Sequence, residues 1–129
     1  MNKEQGTEQF IKIAKASVRI KSVLKPTPLH CSKSLSIENT KVYYKMENLN
    51  PTGSFKIRGA ANKILSMSEK DRATGVVTAS SGNHGLGFAY MCNYANCSGT
   101  VFVPITVSES TCKGILSFVV VIVKPWGGT

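Results

Sequence analysis

Acidic residues, histidines and paired cysteines are scarce in this sequence of 129 residues. Seven Asp and Glu stand against sixteen Lys and Arg, which leaves a formal net charge of +9. Such an excess suggests an anionic partner, for example a phosphorylated small molecule, nucleic acid or a membrane surface. The basic residues occur singly, however, and aromatic residues do not alternate with them as on a base-stacking platform. We therefore interpret them as a solvated basic face and expect no nucleic-acid partner.

Patterns for metal binding and for disulfides are missing as well. The cysteines are Cys31, Cys92, Cys97 and Cys112. None of them forms a C-x-x-C pair, and His30 and His84 are the only histidines, so no metal site is expected. Cys92 and Cys97 are too far apart to lie side by side on adjacent helical turns, and free thiols in a reducing cytosol are the default.

The sequence also lacks a long apolar run. Residues 1–6 are polar and contain no apolar core of a secretory signal, and the most apolar stretch, residues 115–123, is too short to span a bilayer. These features predict a soluble, cytoplasmic protein with no membrane partner. The length and a hydrophobic share of 42% are enough for one globular domain.

Hydrophobic periodicity predicts alternating strands and helices behind an N-terminal helix. We expect helices over residues 7–22, 54–67, 86–94 and 108–118, and strands over residues 42–46, 75–79, 100–103 and 119–123. This order is typical of an α/β fold with three layers, a parallel sheet with helices on both faces. Because nothing follows the last strand to cover it, we expect the fold to be incomplete.

Lys56 stands just inside a predicted helix start, after the loop Asn50-Pro51-Thr52-Gly53-Ser54-Phe55. A lysine there faces the positive end of the helix dipole and partly leaves water, and both effects favour the neutral amine that attacks an aldehyde. Most lysines near helix starts are nevertheless solvated and have no catalytic role.

A second polar segment, Ser80-Ser81-Gly82-Asn83-His84-Gly85, connects a predicted strand to a predicted helix. Free backbone N–H groups at such a helix start form an anion-binding cradle together with the hydroxyl and amide side chains. The alternative is an ordinary helix cap with His84 as a turn residue. Two Ser, one Asn and one His within six residues exceed what a cap requires, which favours a ligand site.

The two segments together resemble the serine/threonine dehydratases and serine racemases, which belong to the tryptophan-synthase-β-like, fold type II pyridoxal-phosphate enzymes. The segment from Asn50 to Ala60 is similar to their cofactor-lysine segment, and Ser80-Ser81-Gly82-Asn83-His84-Gly85 is similar to their substrate-carboxylate loop. Thr27-Pro28-Leu29 and Lys45-Met46-Glu47 resemble the usual preceding segments. The resemblance covers about residues 10–124.

The resemblance implies a role for each site residue. Lys56 would hold pyridoxal 5'-phosphate as a Schiff base, and Phe55 would pack beside the cofactor ring. The loop residues that would bind the substrate carboxylate are Ser80, Ser81, Gly82, Asn83 and His84. Asn83 would also reach the ring oxygen of the cofactor, and Ser81 stands where the racemases place an acid/base opposite the lysine.

Several family features have no counterpart in the sequence. A glycine-rich phosphate loop is missing, since Gly127-Gly128 is only a pair, and Pro51 replaces the lysine found in members that bind ATP. The residue that faces the pyridine nitrogen and the acidic metal site of some members would both follow the last residue of the chain. We therefore expect the front part of a two-domain enzyme, with a lead-in over residues 1–48 and the start of a small domain over residues 49–129. The unusual residues 125–129 suggest truncation or a change of reading frame.

Three functions remain open on these grounds. The first is a pyridoxal-phosphate-dependent ammonia-lyase for serine or threonine, or a racemase with the same residues, weakly active or inactive as this chain alone. The second is a non-catalytic short isoform that pairs with a full-length subunit. The third is a basic nucleic-acid-binding module, which the resemblance disfavours. Family membership also implies a homo-oligomer.

Overall fold

The computed structural model describes residues 3–118 and 121–126. The helices are α1 (Lys3–Ile20), α2 (Lys56–Ser66), α3 (Glu69–Ala73), α4 (Asn83–Tyr94) and α5 (Glu109–Leu116). The strands are β1 (Leu29–Ile37), β2 (Thr40–Lys45), β3 (Val76–Ala79), β4 (Gly99–Pro104) and β5 (Val121–Trp126). A short 3-10 helix, Glu47–Leu49, lies between β2 and α2. Among these residues no helix is both long and apolar enough to cross a membrane.

The strands form two separate sheets. β1 and β2 are an antiparallel hairpin in which Leu29 lies opposite Lys45. β3, β4 and β5 form a parallel sheet in that order, with Val76 beside Gly99 and Gly99 beside Val121. The predicted α/β class with a parallel sheet is thereby confirmed. Consecutive parallel strands place the β3–α4 and β4–α5 turns together at the carboxyl edge of the sheet.

The core lies between the parallel sheet and the helices α2, α4 and α5. Burial in α2 follows the spacing of one helical face, because its buried residues recur three or four positions apart. They meet the buried face of α4, which in turn contacts β3 and β4. The largest fully buried side chains are Ile57, Ile64, Met91, Ile115, Val101 and Cys92. This packing fixes α2, which begins with Lys56, against α4, which follows the polar loop.

Among the described residues, one face of the parallel sheet is left open. Val101 and Val103 are buried on the side of α4, whereas Val77 is 64% exposed and Trp126 is 70% exposed on the opposite side. A groove of about 400 Å³ on this side is lined by Val77, Thr78, Ala79, Phe102 and Trp126. The described residues therefore contain one of the two helical layers that we expected to cover the sheet.

Most element bounds differ from the predicted ones, by one to four residues, and two elements were not predicted. α1 begins at residue 3 rather than 7. β1 and α3 were not predicted, because β1 is rich in Ser and exposed and α3 has only five residues. α4 begins at Asn83, three residues before the predicted start, so that residues 83–85 form its first turn. The last strand runs on to Trp126, while residues 119–120 of the predicted strand lie outside the described residues.

Cys92 and Cys97 lie next to each other, although they are not on adjacent turns of one helix. α4 ends at Tyr94, and Asn96 takes a positive φ of 48°, which turns the chain back. The amide of Cys97 then donates to the carbonyl of Cys92 at 3.0 Å. Burial and the neighbouring Cys97 thiol raise the pKa of Cys92 to about 12. Both thiols are free, as expected, and Cys92 is a weak nucleophile at neutral pH.

Gly87 sets the distance between α2 and α4. A β-carbon at this position would lie 3.0 Å from the Ile57 nitrogen, 3.0 Å from the Ile57 α-carbon and 3.3 Å from the Lys56 carbonyl carbon. These are backbone atoms, which cannot rotate away. A side chain at residue 87 would therefore force the two helices apart.

We predict that Gly87→Val lowers the free energy of unfolding by about 1–3 kcal/mol, as is typical of overpacking in a close-packed interior. Gly59→Val is the matched control, because residue 59 is also helical but has no atom within 4 Å of an added β-carbon. The control should not lower stability, since valine has a higher helix propensity than glycine. Urea unfolding followed by circular dichroism measures both, and equal losses would contradict the proposed close contact.

Candidate active site

Lys56 is the first residue of α2, two residues after the predicted helix start. Its side chain is exposed, and Nζ lies 4.8 Å from the ring centroid of the neighbouring Phe55. The preceding loop is ordered by its own hydrogen bonds. Gly53 has a φ of +69° and donates its N–H to the Asn50 carbonyl at 2.8 Å, and the Lys56 N–H donates to Ser54 Oγ at 3.3 Å. The lysine therefore emerges from a closed turn rather than from a loose loop.

The second polar segment leaves the carboxyl end of β3 and enters α4. Ser80 extends the sheet by one step, because its N–H donates to the Phe102 carbonyl at 2.9 Å. Its hydroxyl accepts from the amides of Gly82 at 3.2 Å and Gly85 at 2.9 Å. Ser80 thus orders the loop itself, and the role that we assigned to it in carboxylate binding remains a prediction.

The remaining loop residues present free polar groups. Ser81 and Asn83 are exposed, and in the part of the chain that the structure describes the amides of Ser81, Asn83 and His84 donate to no other group. His84 is half-buried, with Nε2 lying 3.0 Å from Thr78 Oγ1. Three free amides at the start of a helix of twelve residues can bind a carboxylate.

The contact at Gly87 brings the two segments to the same end of the helix pair. Gly87 lies one helical turn after Asn83 and touches the backbone of Lys56 and Ile57. Lys56 therefore stands beside the first turns of α4, close to the free amides. The remaining contacts between α2 and α4 involve the buried faces of the two helices.

A network of hydrogen bonds around the Glu47 carboxylate holds the lysine loop. Glu47 accepts two hydrogen bonds from Arg58, at 2.7 Å from Nε and 2.9 Å from Nη2. It also accepts from Thr27 Oγ1 at 2.6 Å and from Asn50 Nδ2 at 2.8 Å. Lys45 Nζ completes the network by donating to the Thr27 carbonyl. In this network Glu47, the residue that follows β2 and Met46, joins the lead-in, the loop and α2.

The network changes the ionisation of Glu47. The hydrogen bond from Arg58 is the largest cause, and it outweighs partial burial, so that the pKa of Glu47 falls from 4.5 to about 2. The bonds from Thr27 and Asn50 act in the same direction. Glu47 is therefore a carboxylate over the whole physiological range of pH and remains the acceptor of all four bonds.

The lysine loop contains one unsatisfied polar group. Among the described residues, Thr52 Oγ1 is the one buried side-chain oxygen or nitrogen without a hydrogen-bond partner. Thr52 lies in the turn before Lys56, and its hydroxyl can accept or donate a hydrogen bond to a ligand. An exposed amine, an adjacent aromatic ring and a set of anion-binding amides fit an aldehyde cofactor and a substrate with a carboxylate.

Two site residues were missed by sequence reasoning. Glu47 was noticed only as part of the segment Lys45-Met46-Glu47, because nothing in a sequence pairs a carboxylate with an arginine eleven residues away. Gly87 was not noticed at all, although a glycine inside a predicted helix is a signal for a close backbone approach.

The network predicts a loss of stability in acid. Because the folded pKa is below the unfolded one, the contribution of Glu47 is complete above about pH 4.5 and is lost as the pH falls toward about 2. Across this interval the free energy of unfolding of the wild type should fall by about 1–3 kcal/mol more than that of Glu47→Gln. Glu109→Gln, which removes an exposed ion pair with Lys113, is the control and should behave as the wild type. Parallel pH profiles of the wild type and Glu47→Gln would contradict the network.

Comparison with known proteins agrees with this geometry. Residues 20–123 match the family model described as pyridoxal-phosphate dependent enzyme. The chain is 45% identical over 93 residues to the L-threonine dehydratase biosynthetic IlvA of Mycobacterium bovis, an alignment that covers 71% of this chain and 22% of that protein. It is also 45% identical over 93 residues to an L-threonine ammonia-lyase of Thermotoga maritima, an alignment that covers 71% of this chain and 23% of that protein.

Solved structures have the same fold. A serine racemase from Dictyostelium discoideum superimposes with a TM-score of 0.84 at 34% identity, covering 92% of this chain and 38% of that one. A threonine deaminase isoform 2 from Solanum lycopersicum gives a TM-score of 0.85 at 28% identity, and this superposition covers 95% of this chain and 34% of that one. The chain spans about a fifth of the length of the curated relatives it matches. With the family model matched over residues 20–123, the chain belongs to the pyridoxal-phosphate dependent enzymes.

Proposed function

We propose that this chain carries the lysine and carboxylate-binding residues of a serine/threonine ammonia-lyase, which converts a β-hydroxy amino acid into a 2-keto acid and ammonia. The observation that carries the proposal is the position of Lys56 beside the first turns of α4, held there by the contact at Gly87. The similarity to an L-threonine dehydratase and to an L-threonine ammonia-lyase supports this reaction.

Each residue has a defined task in this proposal, and Lys56 has two. Lys56 Nζ would hold pyridoxal phosphate, which when bound withdraws the electron pair left on the α-carbon. The amides of Ser81, Asn83 and His84 would bind the carboxylate and orient the α-proton toward Nζ. After the substrate amino group has released Nζ as a free amine, Lys56 would take that proton as general base. Loss of the β-hydroxyl as water, followed by hydrolysis, gives the keto acid and ammonia.

A racemase is the second candidate, and it depends on Ser81. The hydroxyl of this residue is exposed and engages no other group among the described residues, so it is available to exchange a proton. The similarity to a serine racemase structure supports this candidate. Proton delivery by Ser81 to the face opposite Lys56 would give the other enantiomer instead of elimination.

The lysine assignment is tested by labelling. The purified chain is mixed with pyridoxal phosphate, reduced with borohydride and digested, and the labelled lysines are identified by mass spectrometry. We expect at least about tenfold more label on Lys56 than on Lys63, because positioned groups gain effective concentration. Lys63 is an internal control on the same helix. Equal labelling of the two lysines would refute the assignment. Label on Lys56 without turnover of serine or threonine would favour a non-catalytic chain that pairs with a full-length subunit.

The two reactions are separated by Ser81→Ala. We expect formation of the opposite enantiomer to fall about 100-fold, because the variant lacks the second acid/base. Formation of the keto acid should fall by less than about threefold, because proton abstraction by Lys56 does not need the hydroxyl. Chiral chromatography and a keto-acid assay on the same samples measure both, and a parallel loss would show that Ser81 serves binding rather than proton transfer.

A further inference from the structure

The lysine loop is held at both of its ends by one carboxylate. Asn50, at the start of the loop, donates to Glu47 from its side chain, and its own N–H donates to the Glu47 carbonyl at 3.3 Å. Arg58, two residues after Lys56, donates twice to the same carboxylate. The intervening residues 51–57 cannot move along the axis of α2 unless one of these attachments breaks.

The attachment is partly sheltered from water. The side chains of Arg58 and Glu47 are 28% and 22% exposed, whereas both partners of the Glu8–Lys12 pair on α1 are 66% exposed. Thr27 and Asn50, the two other donors, are buried. A bidentate pair between Arg and a carboxylate with two further buried donors has one preferred geometry, unlike a pair of mobile surface charges.

We propose that Glu47 is a positioning residue for Lys56, which acts through Asn50 and Arg58 to fix where the lysine meets the first turn of α4. The inference rests on the proposed function of Lys56 and adds to it a residue that touches neither cofactor nor substrate. Glu47 holds both ends of the loop, and Gly87 contacts the backbone of residues 56 and 57. Lys56 is thereby oriented before any ligand arrives.

A purely stabilising role is the alternative, and it makes a different prediction. If Glu47 only stabilised the fold, its loss would lower the melting temperature but would leave the order of the loop in the folded state unchanged. If Glu47 positions the lysine, its loss would loosen residues 53–58 in a chain that is still folded.

The test compares the full chain with Glu47→Gln, Thr27→Val and Glu109→Gln. The Gln side chain is as long as that of Glu47, but its NH2 donor group replaces one of the two acceptor oxygens. This donor group would face the donors of the network, so that part of the network must open. Thr27→Val removes one donor and leaves the ion pair, and it serves as the milder variant if Glu47→Gln does not fold. Glu109→Gln is the matched control. It removes an ion pair in which the side chain of Lys113 is 74% exposed and that of Glu109 is 81% exposed.

Backbone amide exchange is the first readout, because it requires no cofactor. In Glu47→Gln the amides of Gly53, Lys56 and Arg58 should exchange at least about tenfold faster, while those of α4 keep their protection. Thr27→Val should give a smaller change at the same amides, and Glu109→Gln none. Unchanged exchange at these three amides in both Glu47→Gln and Thr27→Val would overturn the proposal.

Selective labelling with pyridoxal phosphate and borohydride is the second readout. The ratio of label on Lys56 to label on Lys63 should fall at least about fivefold in Glu47→Gln, because the lysine loses its orientation. An unchanged ratio in folded Glu47→Gln would overturn the positioning role, even if the melting temperature falls. A wild-type ratio near unity would instead refute the proposed function of Lys56, and amide exchange alone would then decide whether Glu47 orders the loop.

Discussion

The backbone contact between α2 and Gly87 of α4 is the interaction on which the candidate site depends. The contact forms because residue 87 has no side chain, and it allows the Lys56–Ile57 backbone to lie directly on the helix that follows the polar loop. Close packing of this kind tolerates little change, since backbone atoms cannot rotate away from an added methyl group. Two segments almost thirty residues apart in sequence therefore share one end of a helix pair.

The Glu47 network and the Gly87 contact constrain different motions. Packing at Gly87 limits the distance between α2 and α4, whereas the hydrogen bonds of Glu47 limit movement of the loop along α2. The first constraint is apolar and independent of pH. The second depends on a charge, and the low pKa of Glu47 keeps that charge present in all conditions in which the protein would work.

Sequence reasoning predicted the elements that obey a strong rule. The strands β3 and β4 are apolar because a parallel sheet is covered by helices, and Lys56 starts α2 because the loop before it contains Pro51 and Gly53. Sequence reasoning could not predict individual contacts between backbone and side-chain groups. The turn at Asn96 that joins Cys92 to Cys97 depends on one positive φ angle, and the hydroxyl of Ser80 turns inward only because the amides of Gly82 and Gly85 face it. Neither is expressed in a local pattern of residue types.

Among the described residues, the parallel sheet has one open face, so that binding at this face changes the stability of the chain. Val77 and Trp126 expose apolar surface that parallel sheets ordinarily cover, and removing this surface from water lowers the free energy. Any molecule that binds there, including another copy of the chain, shifts the folding equilibrium by mass action. Melting temperatures measured at several protein concentrations therefore report whether copies of the chain bind one another at this face.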